Sequence, residues 1–212
     1  MRPPSETRDN ARMRRLVVLT FVSLDGVMQA PGGPEEDPEG GFTLGGWTVP
    51  YFDEALGQVM GEQMAAPFDL LLGRKTYDLF AGYWPQHDAE GGESLNKATK
   101  YVVTHEAREL SWEPSHLVTG DVVAEIQGLK GQDGPTLQVH GSSSLIQTLL
   151  KNDLIDDLWL KIFPVTLGAG KRLFGDGTVP AAFRLSACTT SPSGVIIASY
   201  ERAGELTIGS FA

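Results

Sequence analysis

The stretch Asp69–Phe80 constrains the fold of this chain more than any other segment. Three consecutive leucines, Leu70–Leu72, end at Gly73, and the cations Arg74 and Lys75 follow before residues that can form a helix. A continuous apolar run is typical of a strand buried on both faces, and the glycine marks the turn into a helix. Amide groups at such a helix start, with the helix dipole behind them, favour a bound phosphate. The segment therefore predicts a strand–turn–helix unit with an anion site at the turn.

A second copy of this arrangement lies further along the chain. Thr136–His140 has the residues of a strand, Gly141–Ser144 is a flexible, hydroxyl-rich turn, and Leu145–Leu150 has the apolar residues of a helix. Either unit alone is explained equally well by a strand–helix turn whose polar side chains face solvent. Two such units in one small domain indicate one ligand that carries more than one phosphate-like group.

Length and charge limit the classes of protein to which the chain can belong. Its 212 residues suffice for one domain, and 41% of them are hydrophobic, as in ordinary globular proteins. The formal net charge of −10 argues against a nucleic-acid partner, which usually requires a basic surface. It also means that local cations must hold any anionic ligand. No apolar run is long enough to span a bilayer, so we expect no membrane partner.

The single cysteine and the first residues indicate the cellular compartment. Cys188 excludes an intrachain disulfide and suits a reducing cytoplasm, and its position in a predicted strand favours a packed thiol. The start of the chain lacks the apolar core of a secretory signal. We therefore expect a cytoplasmic protein.

Strands alternate with helices along most of the chain. Residues 1–13 are polar and contain two prolines, so we expect a disordered tail, which leaves residues 14–212 as one domain. The alternation predicts a mostly parallel sheet. Phe183–Thr190 and Val195–Arg202 flank a Ser-Pro-Ser-Gly turn and predict an antiparallel hairpin at the C-terminus. The predicted fold class is α/β.

Two segments between the first two predicted strands concern the substrate side. Gln29–Gly46 is long and rich in glycine, proline and acid, and its apolar residues favour a lid over a pocket. Pro50 then introduces a helix, with Asp53 and Glu54 in its first turn, where the dipole favours acids. The predicted apolar face of this helix consists of Phe52, Ala55, Leu56, Val59, Met60 and Met64.

The spacing of the residues argues against several familiar sites. No strand is followed by Gly-x-Gly-x-x-Gly. Gly168–Lys171 departs from a phosphate-binding loop, because Val165 replaces its first glycine and Arg172 its Ser or Thr. The four histidines have no paired metal-ligand spacing, so no metal site is expected. Gly141–Leu145 lacks the last glycine of a nucleophile elbow, so its serines are expected to donate hydrogen bonds.

Six motifs follow one another in a recognisable order. They are Ser23–Val27, Trp47–Pro50, Gly73–Tyr77, Gly141–Ser143, Asp157–Phe163 and Val165–Gly170. Together they resemble the dihydrofolate reductase superfamily, and most closely the stand-alone relatives of the reductase domain of the bifunctional riboflavin-biosynthesis deaminase-reductase. The resemblance implies a dihydrofolate-reductase-like three-layer fold, with a mostly parallel central sheet and a C-terminal antiparallel hairpin. It also implies a single reductase domain over residues 14–212, without the deaminase half.

The resemblance implies a cofactor site for NADPH. Arg74 would lie near the adenosine 2′-phosphate, and this cationic pair with Lys75 makes NADPH the expected cofactor instead of NADH. The residues implied to contact the cofactor are Gly73, Arg74, Lys75, Thr76, Thr104, His105, Gly141, Ser142 and Ser143.

The same resemblance implies a substrate side, where this chain departs from dihydrofolate reductases. Those enzymes place a buried acid five or six residues after the tryptophan that corresponds to Trp47, and here these positions hold Phe52 and Asp53. Asp53 is therefore the catalytic candidate, with a dipole-pairing acid as the alternative. The residues implied to lie near the substrate are Ser23, Asp25, Trp47 and Lys171.

The sequence supports three hypotheses about function. The first is an NADPH-dependent reductase of the riboflavin-biosynthesis type, acting on a small heterocyclic or phosphoribosyl-type substrate like 5-amino-6-(5-phosphoribosylamino)uracil. The second is dihydrofolate reduction, and the third is a non-catalytic module that binds NADPH. Because the branch it resembles commonly forms homodimers, a homodimer is expected.

Overall fold

A computed structural model describes residues 13–211 of the chain. The predicted tail, residues 1–13, therefore lies outside the described residues except for Met13, which is exposed. Among the described residues, no helix is both long and apolar enough to cross a membrane.

Residues 13–211 form eight strands and five α-helices, largely where the sequence predicts them. The strands are β1 (Leu16–Ser23), β2 (Phe68–Gly73), β3 (Lys100–Val103), β4 (Ser115–Val118), β5 (Thr136–His140), β6 (Asp157–Phe163), β7 (Phe183–Thr190) and β8 (Ile196–Arg202). The helices are α1 (Glu54–Gln63), α2 (Arg74–Tyr83), α3 (Gly92–Lys97), α4 (Val122–Lys130) and α5 (Ser143–Lys151). Short 3-10 turns occur at Glu39–Gly41, Val49–Tyr51, Trp84–Gln86 and Asp88–Glu90.

All eight strands belong to one sheet, in the order β4-β3-β2-β5-β1-β6-β8-β7. The six strands from β4 to β6 are parallel, whereas β8 runs antiparallel to β6 and β7 antiparallel to β8. At the centre, Val18 of β1 is in register with Val139 of β5 and with Leu158 of β6. The predicted mostly parallel sheet with a C-terminal antiparallel hairpin is confirmed.

Helices cover both faces of this sheet, which explains the continuous apolar runs in its central strands. Leu70 and Leu72 of β2 pack with Tyr77 of α2 and Leu95 of α3 on one face. Leu71, which points to the opposite face, belongs to the cluster that contains the apolar residues of α4 and α5. Phe163 and Leu56 of α1 belong to a third cluster, with the segment that follows β1. The three-layer architecture is therefore present.

Two local predictions are wrong. Asp53 precedes α1 as its N-cap and does not lie in the first turn, and Phe52, before the cap, is 48% exposed and outside the buried face. Cys188, predicted to be a packed thiol, is exposed because β7 is the edge strand, and the six other residues between Arg184 and Thr190 are exposed as well.

Parallel pairing determines where the functional residues lie. The strands β1, β2, β3, β5 and β6 all have their carboxyl ends at one edge of the sheet. Apart from Trp47 and Asp53, the candidate residues lie at or after the ends of these strands, at the edge where open α/β sheets bind their ligands.

Candidate functional site

The two strand–turn–helix units meet directly, because β5 lies beside β2. The amide of Gly73 donates to Ser142 Oγ at 2.8 Å, and that hydroxyl donates to Thr76 Oγ1 at 2.7 Å. One serine side chain thus joins the start of α2 to the turn before α5. The structure brings together the two turns that the sequence predicts to share a ligand.

Backbone geometry explains the residue types at this junction. A Cβ atom at Gly73 would lie 3.0 Å from both the Cβ and the Oγ of Ser142, closer than packed side chains normally approach. Gly141 and Ser142 both have positive φ angles, of 86° and 67°. Glycine adopts that region without strain, which explains the residue type at position 141. The turn therefore depends on a glycine in each unit.

The first turn of α5 is open to a ligand. Ser142 is the N-cap residue of α5, but its side chain makes no capping hydrogen bond because it bonds to the α2 unit instead. The first amides of a helix have no partner within the helix. Ser143 begins α5, so its amide is one of these groups. The junction therefore presents backbone donors of the kind that bind phosphate.

Arg74 lies at the rim of the junction, half exposed, and shares an acid with a second arginine. Its Nη1 is 3.1 Å from Asp78 Oδ2, and Arg108 Nη2 is 2.8 Å from Asp78 Oδ1. Asp78 thus holds two guanidinium groups beside the start of α2. Arg108 was not found in the sequence analysis, because it belongs to the loop after β3 and carries no local motif.

Lys75 and Lys171 are joined by an acid that the sequence analysis did not single out. Glu39 Oε2 lies 2.6 Å from the Nζ of each lysine, and Asp37 Oδ2 lies 2.6 Å from Lys171 Nζ. The hydrogen bonds from Lys171 and Lys75 lower the pKa of Glu39 to about 2. The only sequence signal is the acidic character of the segment, which does not indicate a particular partner.

Thr104 and His105 lie at the same edge of the sheet, directly after β3. Val103 is in register with Gly73, so the next residue, Thr104, lies beside the start of α2. Thr104 is buried, and its hydroxyl pairs with the backbone of Glu106, both as donor and as acceptor, at 3.3 Å. His105 is exposed.

Ser23 and Asp25 are close together at the end of β1. Ser23 Oγ donates to Asp25 Oδ1 at 2.6 Å, and the amides of Leu167 and Gly168 donate to the same carboxylate at 3.1 and 2.8 Å. The hydrogen bond from Ser23 and those from the two amides lower the pKa of Asp25 to about 2. Asp25 is therefore ionised near neutral pH and joins the turn after β1 to the loop after β6.

Trp47 is buried and lies directly after the segment predicted to be a lid. Its Nε1 donates to the Gln29 carbonyl at 2.8 Å, and its ring packs edge-on against Phe163 at 5.4 Å between centroids. Phe42, within the segment, belongs to the same buried cluster. These two aromatic side chains thus anchor the segment over the end of β6. Substrate contact by Trp47 and the lid role both stay predictions.

Asp53 is held by two backbone amides. Its Oδ1 accepts from Leu56 N and its Oδ2 from Ser193 N, both at 2.9 Å. The Leu56 amide contributes most to lowering the pKa of Asp53, to about 2. The carboxylate therefore caps α1 and joins it to the turn between β7 and β8. The catalytic role of Asp53 stays a prediction, and the dipole-pairing alternative is the one that these contacts favour.

A buried polar cluster lies between α1 and the sheet, and the sequence analysis did not identify it. Lys161 Nζ donates to Gln63 Oε1 at 2.5 Å, Gln138 Nε2 donates to the Gln63 carbonyl at 3.1 Å, and His140 Nε2 lies 2.8 Å from Gln138 Oε1. Burial lowers the pKa of Lys161 to about 7. Burial, with a smaller effect of the Lys161 charge, lowers the pKa of His140 to about 3.

The sequence matches a known family over most of its length. The model of the RibD C-terminal domain family matches residues 14–197. The uncharacterized protein YyaP of Bacillus subtilis (strain 168) is 27% identical over 197 residues, which are 89% of this chain and 95% of that protein.

Solved structures share the fold at lower identity. A riboflavin biosynthesis protein, provisionally assigned, from Shewanella sp. PV-4 has a TM-score of 0.63 and 23% identity, over 89% of this chain and 99% of that chain. The deaminase/5-amino-6-(5-phosphoribosylamino)uracil reductase of Thermotoga maritima has a TM-score of 0.59 and 13% identity, over 91% of this chain and 57% of that chain. Dihydrofolate reductase from Enterococcus faecalis, complexed with NADP(H), has a TM-score of 0.56 and 15% identity, over 89% of this chain and 96% of that chain.

Proposed function

This chain belongs to the RibD C-terminal domain family, and we propose that it is an NADPH-dependent reductase of the riboflavin-biosynthesis type. The substrate that we propose is a small heterocyclic or phosphoribosyl-type molecule, like 5-amino-6-(5-phosphoribosylamino)uracil. The reaction class rests on the family, and the cofactor rests on the geometry of the junction between β2 and β5.

One observation supports the cofactor most strongly. The turns after β2 and β5 lie within hydrogen-bond distance, joined by Ser142, and each opens into the start of a helix. A dinucleotide has two linked phosphates, and NADPH has a third on its adenosine ribose. Two adjacent helix starts with Arg74 and Lys75 at the rim are a donor set that suits such a ligand.

Different residues along the sheet edge are proposed to bind different parts of the cofactor. We propose that Gly141, Ser142 and Ser143 face the pyrophosphate with their amides, and that Arg74 faces the 2′-phosphate. Thr104 and His105, at the end of the neighbouring β3, are proposed to lie beside the adenosine. NADPH, when bound, supplies a hydride, and the protein orients it and excludes water. The complex of the E. faecalis enzyme with NADP(H) shows that a protein of this fold holds that cofactor.

The substrate side is proposed at the ends of β1 and β6, beyond the cofactor site. Ser23, Asp25, Trp47 and Lys171 are the residues proposed to lie near the substrate. Ser23 and Asp25 are in mutual contact, and Lys171 lies in the loop that Asp25 bonds to. A phosphorylated pyrimidine substrate is suggested by the T. maritima enzyme, whose name includes 5-amino-6-(5-phosphoribosylamino)uracil reductase.

The acids of the site bear on the alternative functions. Dihydrofolate reduction relies on a buried acid that assists protonation, whereas Asp53 accepts two amide hydrogen bonds that lower its pKa to about 2. An acid that stays ionised is a poor proton donor at neutral pH. This observation disfavours folate reduction. It also supports the third hypothesis, a module that binds NADPH without catalysis.

Binding followed by turnover tests the proposal. We expect purified protein, titrated with NADPH in a calorimeter, to bind in the micromolar range or tighter, and to bind NADH more weakly. Oxidation of NADPH is then followed by absorbance with dihydrofolate and with a panel of pyrimidine substrates. Turnover with a pyrimidine supports the proposal, turnover with dihydrofolate supports the folate alternative, and tight binding without turnover supports the non-catalytic module. Absence of NADPH binding would contradict all three.

A further inference from the structure

The carboxylate of Glu39 lies between two lysines that come from opposite sides of the site. Lys75 is the second residue of α2, and Lys171 lies in the loop after β6. Both ammonium groups are 2.6 Å from the same oxygen, Glu39 Oε2. The segment between β1 and α1 therefore places a negative charge on a cation of the proposed cofactor site.

The position of this carboxylate is set by a buried side chain. Gln29 is 4% exposed, and its Nε2 donates to the carbonyls of Asp37 and Glu39 at 2.9 Å. Its Oε1 accepts from the amide of Lys171, also at 2.9 Å. The buried amide of Gln29 thus fixes the turn that contains Asp37 and Glu39 relative to the loop that contains Lys171. The hydrogen bonds of the buried Gln29 side chain therefore restrain the backbone that carries Glu39 and the backbone that carries Lys171.

Lys75 nonetheless remains accessible to a ligand. Its side chain is 60% exposed, and Glu39 is its only ion-pair partner among the described residues. The residue is adjacent to Arg74 and one position from Thr76, which bonds to Ser142. A phosphate bound at this junction would therefore meet an ammonium group that is already paired with a carboxylate.

We propose that Glu39 is an affinity-determining residue of this site, whose carboxylate competes with a phosphate of the dinucleotide for the ammonium group of Lys75. This inference rests on the proposed function. Binding of the phosphate breaks the pair between Glu39 and Lys75. The pair between Asp37 and Lys171 and the contacts of Gln29 involve other atoms, so they keep the segment in place during the exchange.

Removal of the charge on Glu39 tests the competition. We expect Glu39→Gln to bind NADPH about 2- to 5-fold more tightly than the wild type in calorimetric titrations at low salt, because an exposed ion pair no longer has to be broken. This gain in affinity for NADPH is expected to become smaller as salt is added, since salt screens exposed charges. In a Lys75→Gln background, the same substitution is expected to change the Kd for NADPH less than 2-fold, because the ammonium group for which Glu39 competes is absent.

A matched control separates a local contact from a change in net charge. Glu93→Gln alters the net charge by the same amount and removes the acid of another exposed lysine pair, with Lys97 in α3. Its Kd for NADPH is expected to equal that of the wild type. Equal gains in Glu39→Gln and Glu93→Gln would overturn the inference, as would a gain that persists without Lys75.

The outcomes also distinguish the inference from the function on which it rests. If the wild type binds NADPH and Glu39→Gln binds it equally or more weakly, the competition is absent while the proposed cofactor stands. If neither protein binds NADPH, the proposed function and the inference both fail.

Discussion

Arg74 is the residue on which the choice of cofactor is expected to depend, because it is the half-exposed cation at the rim of the junction. We predict that Arg74→Ala weakens NADPH binding by roughly 1.5–3 kcal/mol, the value of one charge-assisted contact, and leaves NADH binding nearly unchanged. Calorimetric titration with both cofactors measures the difference. Lys97→Ala is the control, since this exposed lysine pairs with Glu93 within α3, away from the junction. Equal weakening of both cofactors would show that Arg74 does not contact the 2′-phosphate.

The burial of Lys161 leads to a second prediction, which concerns how the stability of the protein depends on pH. Its amine is buried, and its pKa is lowered from the ordinary 10.5 to about 7. Between these two values the unfolded chain binds one proton more than the folded protein, so this group makes the free energy of unfolding rise with pH. Below pH 7 both the folded and the unfolded states carry the proton, so the folded protein is destabilised by the full free energy of burying the charge.

Lys161→Met removes this cost, although Gln63 Oε1 then loses its donor at every pH. We therefore expect the free energy of unfolding of the variant, relative to the wild type, to be higher at pH 6 than at pH 10, by up to about 4 kcal/mol. Urea denaturation at several pH values measures this. Lys151→Met, at an exposed lysine that ends α5, should show no such trend. A difference that is constant with pH would mean that Lys161 does not titrate in this range.

At the scale of elements, the junction between the two strand–turn–helix units depends on one hydroxyl. Ser142 accepts from Gly73 and donates to Thr76, so it ties α2 to the turn before α5. We predict that Ser142→Ala lowers the free energy of unfolding by about 1–2 kcal/mol, because the Gly73 amide loses its acceptor, and that it also weakens NADPH binding.

Ser144→Ala is the matched control, since Ser144 is an exposed serine of the same segment. The free energy of unfolding and the Kd for NADPH, measured on both variants, separate the effect of the Ser142 hydrogen bonds from a general effect of losing a hydroxyl. Equal losses in the two variants would contradict the role of Ser142.

The elements themselves were largely predictable, because their signals are local. The apolar run Leu70–Leu72 and the strand-forming residues Thr136–His140 depend only on neighbouring residues, and β2 and β5 form there. The helix after Pro50 was misplaced, because the sequence pattern did not show that Asp53 uses both carboxylate oxygens on amides, one of them from Ser193. That second contact joins residues 140 positions apart and leaves no periodic trace in the chain.

At the scale of the whole molecule, β7 forms an unprotected edge of the sheet. It pairs with β8 on one side only, and no described helix covers it. Leu185 is 49% exposed there, and the C-terminal residues Ile208 and Phe211 are fully or almost fully exposed. Exposed edges of this kind favour pairing with another chain.

We predict that the protein is a homodimer with β7 at the interface. Light scattering coupled to size-exclusion chromatography should give twice the mass of the chain for the wild type, and the mass of one chain for Leu185→Asp, since a charge would be buried against the partner. Val49→Asp, which places the same charge at an exposed apolar position before α1, should remain dimeric. A monomeric wild type would contradict the prediction.

The sequence by itself determined the strands, the glycine and hydroxyl turns and the motifs of the family, because these depend on residues close together in the chain. Only the tertiary structure decided which of them meet. It inserts β5 beside β2, which places Gly73 and Ser142, 69 positions apart, within 2.8 Å of each other. It also brings Glu39 to Lys75 and Lys171. Such contacts follow from strand order and from long-range ion pairing, and neither produces a pattern along the chain that periodicity or spacing can detect.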